Sequence, residues 1–90
     1  MSGGVGENID IELQERVISV IVEQCGRSRS MINLYSKLVT DLDFYSLDFV
    51  DLCQALEEEF KIMIDEAALL SFVTVEDVVI IISNRVNSVI

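Results

Sequence analysis

Residues 41–60 constrain the fold more than any other stretch, and they read DLDFYSLDFVDLCQALEEEF. This stretch holds seven carboxylates, and no Lys or Arg occurs between Lys37 and Lys61. Apolar residues recur in it at helical spacing, which predicts one acidic amphipathic helix beginning at Ser46. Because a serine hydroxyl is a favoured N-cap acceptor, Ser46 is predicted to cap this helix. The predicted buried stripe is Leu47, Val50, Cys53 or Leu52, Leu56 and Phe60.

An earlier helix is predicted over residues 9–25, where Asp10 can cap the start and Gly26 can end it in the left-handed conformation. Residues 27–40 follow as a long connection with few regular repeats and one predicted helical turn around 36–39. Five apolar residues are predicted to hold this connection to the core: Ile32, Leu34, Tyr35, Leu38 and Leu42.

Two helices are predicted after Lys61. A short one occupies residues 65–70 with Asp65 as its cap, and a last one begins at Thr74 with Asp77 three residues on, a pattern resembling a capping box. The run VVIII in the last segment is β-branched, and propensity alone favours a strand. Since the helical spacing continues past this run, we predict a helix.

Composition limits the classes of function. The net charge of -10 argues against binding nucleic acid or anionic membranes and favours partners with basic patches. No signal peptide is apparent, and the longest apolar run is too short to cross a bilayer, so we expect a cytoplasmic protein without membrane insertion. Residues 1–8 are expected to form a flexible tail, and residues 9–90 a single all-α domain.

The residue types also limit the chemistry. The chain has no histidine, which excludes Ser–His–Asp and Cys–His nucleophile systems and His-containing metal sites. Cys25 and Cys53 lie in apolar helical patterns and are interpreted as small buried hydrophobes. The pair Asp41 and Asp43 suggests a calcium loop, but the glycine and the final glutamate that such a loop needs are missing. We therefore expect neither a metal site nor an enzyme.

Three blocks resemble the acyl carrier protein family: ERVISVIVEQCG at residues 15–26, the stretch at 41–60, and TVEDVV at residues 74–79. The resemblance spans residues 9–86, and the middle block is the specific one. It implies a small four-helix bundle with a long first connection and a short third helix. It also implies that Ser46 bears a covalent 4′-phosphopantetheine, attached by a phosphopantetheinyl transferase.

The implied function is to carry acyl intermediates as thioesters for fatty-acid, polyketide-like or specialised lipid biosynthesis. Its partners would be acyl-transferring and chain-modifying enzymes with basic docking patches, and we expect a monomer. Two alternatives stay open: an interaction subunit of this fold without a prosthetic group, and an aminoacyl or peptidyl carrier. The predicted partner-binding residues are Tyr45, Leu47, Asp48, Phe49, Val50, Asp51, Gln54, Glu57 and Glu58.

The sequence departs from the family's motif just before the serine. The family usually has Gly, a small residue and Asp, where this chain has Asp43, Phe44 and Tyr45. Tyr45 and Phe49 are one helical turn apart, and either they form an aromatic ledge beside the arm or one of them packs into the core. These departures predict a specialised carrier with a restricted choice of transferase.

Overall fold

The computed structural model describes residues 11–87, and within them the regular structure is helical. The helices are α1 (Ile11–Cys25), α2 (Ser46–Phe60), α3 (Glu66–Leu70) and α4 (Val75–Asn87), with a 3₁₀ turn at Arg29–Met31. This confirms the predicted all-α fold and the helical conformation of VVIII. The expected tail at residues 1–8 and the predicted cap Asp10 lie outside the described residues.

The core forms around α1, which packs against both α2 and α4. Its residues Val17 and Ile21 are fully buried, as are Leu52 and Leu56 of α2 and Ile82 of α4. Burying a side chain of this size stabilises the fold by about 1.5–3 kcal/mol. Among residues 11–87, no helix is both long and apolar enough to cross a membrane.

The predicted buried stripe of α2 is wrong at its first two positions. Leu47 is 78% exposed and Val50 is also exposed, whereas Leu52 and Leu56 face the core. The helix carries apolar residues on two faces, so the sequence spacing alone allows either face to be buried. In the structure the face with Leu52 and Leu56 is buried, and the half-buried residues Phe49, Cys53 and Phe60 pack against the core beside it.

Most predicted helix boundaries are confirmed by their capping bonds. Gly26 has φ 72°, the left-handed conformation that ends α1. The Asp65 carboxylate accepts a 2.8 Å hydrogen bond from a backbone N–H of α3. Thr74 and Asp77 bond reciprocally through side chain and backbone, at 2.9 and 3.1 Å, which completes a capping box.

The long first connection is held by backbone pairing to the segment before α4. Lys37 and Thr74 form an isolated antiparallel bridge, and the Leu38 N–H donates to the Val73 carbonyl at 2.9 Å. The helical turn predicted at residues 36–39 lies slightly later, over residues 37–42, where the Lys37 carbonyl accepts from the N–H groups of Asp41 and Leu42. Tyr35 was predicted to anchor the connection, but it is 81% exposed, because it lies at a turn that the Ser36 N–H closes on the Asn33 carbonyl at 3.1 Å.

Candidate functional site at the start of α2

Helix α2 begins at Ser46 as predicted, but Ser46 is its first residue and not its N-cap. The N-cap is Tyr45, whose carbonyl accepts from the Asp48 N–H at 2.9 Å and whose N–H donates to Asp48 Oδ2 at 2.7 Å. The side-chain bond at this end of α2 is therefore made by Asp48 and not by the serine. Within residues 11–87 the exposed Ser46 hydroxyl has no hydrogen-bond partner, so it is open to react.

The turn before Ser46 is fixed by three different contacts. Asp43 adopts φ 60°, a conformation that aspartate tolerates better than most residues, and its carboxylate pairs with Arg27. Phe44 is buried, and its N–H donates to the Leu38 carbonyl at 2.9 Å. The positive φ explains why a glycine suits this position in the family that the sequence resembles. Ser46 thus follows an anchored turn.

The two aromatic residues flanking Ser46 have different surroundings. The Phe49 ring is half-buried and lies 5.4 Å from the Phe44 ring, centroid to centroid. Tyr45, in contrast, is 74% exposed. Of the two interpretations of this pair, packing therefore describes Phe49, and only Tyr45 remains as an aromatic surface beside the serine.

The predicted partner-binding residues divide by exposure. Asp48 and Glu57 are half-buried, and each has one carboxylate oxygen bonded to a backbone N–H, that of Tyr45 at 2.7 Å and that of Ile64 at 2.8 Å. The exposed members are Tyr45, Leu47, Val50, Asp51, Gln54 and Glu58. The structure thus brings acidic and apolar side chains together along the outer face of α2.

Two exposed apolar residues after α2 were not predicted from the sequence. Met63, in the loop after α2, is 79% exposed, and Leu70 of α3 is similarly exposed. Met63 lies between Ile62 and Ile64, which are both half-buried. This alternation of apolar residues in a short loop was the available signal, since in an extended segment neighbouring side chains point to opposite sides.

The thiols and carboxylates show no sign of a further reactive centre. Cys25 and Cys53 are both free and half-buried, and burial, followed by the nearby Glu57 charge, raises the pKa of the Cys53 thiol. A raised pKa keeps this thiol protonated and unreactive at neutral pH. In the part of the chain that is described, no three His, Cys, Asp or Glu side chains are grouped to hold a metal ion.

Salt is expected to raise the melting temperature, because the net charge of -10 repels itself in the compact state. Screening also weakens the four described ion pairs, but exposed pairs contribute only about 0.2–1 kcal/mol each. Melting at neutral pH from about 10 mM to about 150 mM salt checks this. A constant melting temperature would show that the ion pairs cancel the repulsion, and a falling one that they outweigh it; either would contradict the prediction.

Comparison with known proteins places these features in a family. Residues 15–82 match the family described as "Phosphopantetheine attachment site". The acyl carrier protein of Campylobacter hominis is 38% identical over 74 residues, which cover 82% of this chain and 94% of that protein. The acyl carrier protein of Thermotoga maritima is 37% identical over 76 residues, which cover 84% of this chain and 94% of that protein. The acyl carrier protein of Chlamydia caviae is 39% identical over 75 residues, which cover 83% of this chain and 97% of that protein.

The chain belongs to the acyl carrier protein family. As a member, it is a carrier that bears covalently attached 4′-phosphopantetheine. Acyl carrier proteins carry groups and do not catalyse reactions on them, and they work with a transferase and with synthesis enzymes. The missing histidine agrees with this role, because a carrier needs an accessible acceptor and no catalytic base of its own.

Proposed function

We propose that Ser46 is the attachment residue for the arm, and that the loaded protein delivers acyl thioesters in fatty-acid or related lipid biosynthesis. The observation that supports this proposal most directly is the exposed Ser46 hydroxyl, which lies at the start of α2 and makes no hydrogen bond within residues 11–87. A transferase can therefore reach this oxygen without breaking a hydrogen bond within residues 11–87. The arm's distal thiol would then hold the acyl group.

The start of α2 also suits the phosphodiester that joins the arm to the serine. The first N–H groups of a helix lack helical acceptors, and the helix dipole favours an anion at this end. The neighbouring carboxylates are already engaged, since Asp43 pairs with Arg27 and Asp48 accepts from the Tyr45 N–H. These contacts reduce the repulsion that a phosphate on Ser46 would meet.

The outer face of α2 is the proposed docking surface for partner enzymes. Its apolar centre is formed by Leu47 and Val50, the uncharged Gln54 lies beside them, and Asp51 and Glu58 provide exposed charge. Basic residues on a partner would meet these carboxylates and steer the encounter. Such a face fits a small, transient interface of a monomeric, cytoplasmic carrier.

Intact mass spectrometry tests the proposed attachment. The purified protein is incubated with coenzyme A and the phosphopantetheinyl transferase of its host. We expect the mass of one phosphopantetheinyl group to be added, and peptide mapping to place it on Ser46. Absence of the modification, or its location on another residue, would contradict the proposal.

Tyr45→Asp is expected to make Ser46 a better substrate for a broad-specificity transferase. This change restores the residue that the family usually has before the serine and removes an exposed ring from the approach to Ser46. An aspartate at this N-cap position can also accept a backbone hydrogen bond, which stabilises a helix by about 1 kcal/mol.

Modification rates of wild type, Tyr45→Asp and Glu58→Lys are compared with one broad and one cognate transferase. Tyr45→Asp should raise the rate with the broad enzyme, whereas Glu58→Lys should slow both. If Tyr45→Asp leaves both rates unchanged, Tyr45 does not restrict the choice of transferase.

A further inference from the structure

One residue in the turn before Ser46 adopts a backbone conformation that side chains disfavour. Asp43 has φ 60°, and among residues 11–87 the other non-glycine residue with a positive φ is Lys61, at 57°. Lys61 ends α2, and its N–H donates to the Glu57 carbonyl, so the end of a helix holds its conformation. Asp43 ends no helix, and its left-handed conformation therefore needs a different support.

The Asp43 carboxylate provides this support. Within residues 11–87, neither the N–H nor the carbonyl of Asp43 makes a hydrogen bond. Its carboxylate pairs with the Arg27 guanidinium, although 64% of the Asp43 side chain is exposed. In the part of the chain that is described, this ion pair is thus the one polar contact of Asp43.

Arg27 reaches the turn from a fixed position at the end of α1. The Gly26 N–H donates to the Val22 carbonyl at 2.9 Å, which closes the last turn of that helix. Two residues after Arg27, the Arg29 guanidinium pairs with the Glu15 carboxylate of α1 at 3.0 Å. The backbone on either side of Arg27 is therefore held to α1, and the ion pair ties the turn to the same helix.

The conformation of Asp43 determines how the chain enters the start of α2. Asp43 lies between Leu42 and Phe44, which are both buried. The Phe44 N–H donates to the Leu38 carbonyl at 2.9 Å, and Ser46 follows two residues later. A change of φ at Asp43 would break the Phe44 bond or move the start of α2.

We infer that Arg27 is a positioning residue for the modification of Ser46. The ion pair keeps Asp43 in the left-handed conformation and so keeps the Ser46 hydroxyl in the place where the transferase uses it. Glycine adopts a positive φ without such a contact, so Arg27 does for Asp43 what a glycine would do alone. The inference rests on the proposed function and adds to it a residue far from the serine in sequence.

Modification kinetics test this role, because positioning and charge predict opposite results. If charge alone mattered, loss of a positive charge would raise kcat/KM with a basic partner. Loss of positioning instead lowers kcat and leaves the KM for the carrier unchanged, since the proposed docking surface is intact. We expect Arg27→Ala to lower kcat with the host transferase about two- to fivefold, the factor that one exposed ion pair contributes.

Arg29→Ala is the matched control. It removes the same charge and breaks another exposed ion pair, that with Glu15, which does not touch the turn before Ser46. Urea unfolding should show similar small losses of stability for both variants, whereas kcat should fall in Arg27→Ala alone. An unchanged or higher kcat for Arg27→Ala, or an equal fall for Arg29→Ala, would overturn the inference.

A glycine at position 43 should rescue the loss of Arg27. The double variant Arg27→Ala/Asp43→Gly keeps the net charge of -10, because it loses one charge of each sign. Its kcat should return to the wild-type value, since glycine holds the positive φ unaided. A double variant as slow as Arg27→Ala would show that Arg27 does not act through Asp43, which would contradict the inference.

Amide hydrogen exchange gives a readout that does not need the transferase. Arg27→Ala should speed the exchange of the Phe44 N–H, and Arg29→Ala should not. Adding Asp43→Gly to Arg27→Ala should restore the slow exchange. Unaltered exchange at Phe44 in Arg27→Ala would refute the positioning role, whereas the proposed function fails only if the wild type is not modified on Ser46.

Discussion

Ser46→Ala is expected to abolish modification by the transferase without lowering the stability of the protein. The first effect follows because alanine has no oxygen on which a phosphodiester can form. The second follows because Tyr45 and Asp48, and not Ser46, make the capping contacts of α2. Loss of a true N-cap serine would cost about 1 kcal/mol, whereas alanine is a favourable residue inside a helix.

Two measurements on the same variant check these effects separately. Intact mass after incubation with coenzyme A and transferase reports the acceptor, and denaturant unfolding reports the stability. Ser19→Ala is the matched control, because Ser19 is also an exposed helical serine and should leave modification unchanged. Continued modification of Ser46→Ala would contradict the assignment. A loss of about 1 kcal/mol would instead show that the hydroxyl caps the helix after all.

The sequence was sufficient to predict the helices and most of their ends, since these depend on local chemistry. Gly26, Asp65 and the Thr74–Asp77 pair each act within one turn of the chain, and the structure has them as predicted. The cap of α2 was harder, because a serine beside an aspartate offers two capping schemes. Which one forms depends on the turn that Phe44 anchors in the core.

Contacts between distant segments could not be predicted in the same way. The pairing of Lys37 with Thr74 joins residues far apart in sequence, and no local pattern marks it. The loop at Met63 depends likewise on Arg85, which lies 22 residues further along the chain. A local reading of the sequence therefore placed Ser46 at the start of an acidic helix, but it did not predict the residues that shape the surface around them.

Leu56→Ala is expected to destabilise the protein by about 2–5 kcal/mol, which is the cost of a cavity in a well-packed core. Leu56 has no exposed surface and belongs to the cluster that joins α2 to α1 and α4. A domain of this kind is stabilised by only about 5–15 kcal/mol in total, so the change should shift the unfolding midpoint strongly.

Leu47→Ala is the matched variant, because it deletes the same atoms from the same helix at a side chain that is 78% exposed. Surface changes of this type stay within about 0.5 kcal/mol, so urea unfolding should distinguish the two leucines clearly. Leu47→Ala should instead raise the KM for the transferase, since Leu47 lies beside Ser46 on the proposed docking surface. Equal destabilisation by both variants would show that Leu47 is buried, as the sequence first predicted. Leu47 could then not belong to the docking surface.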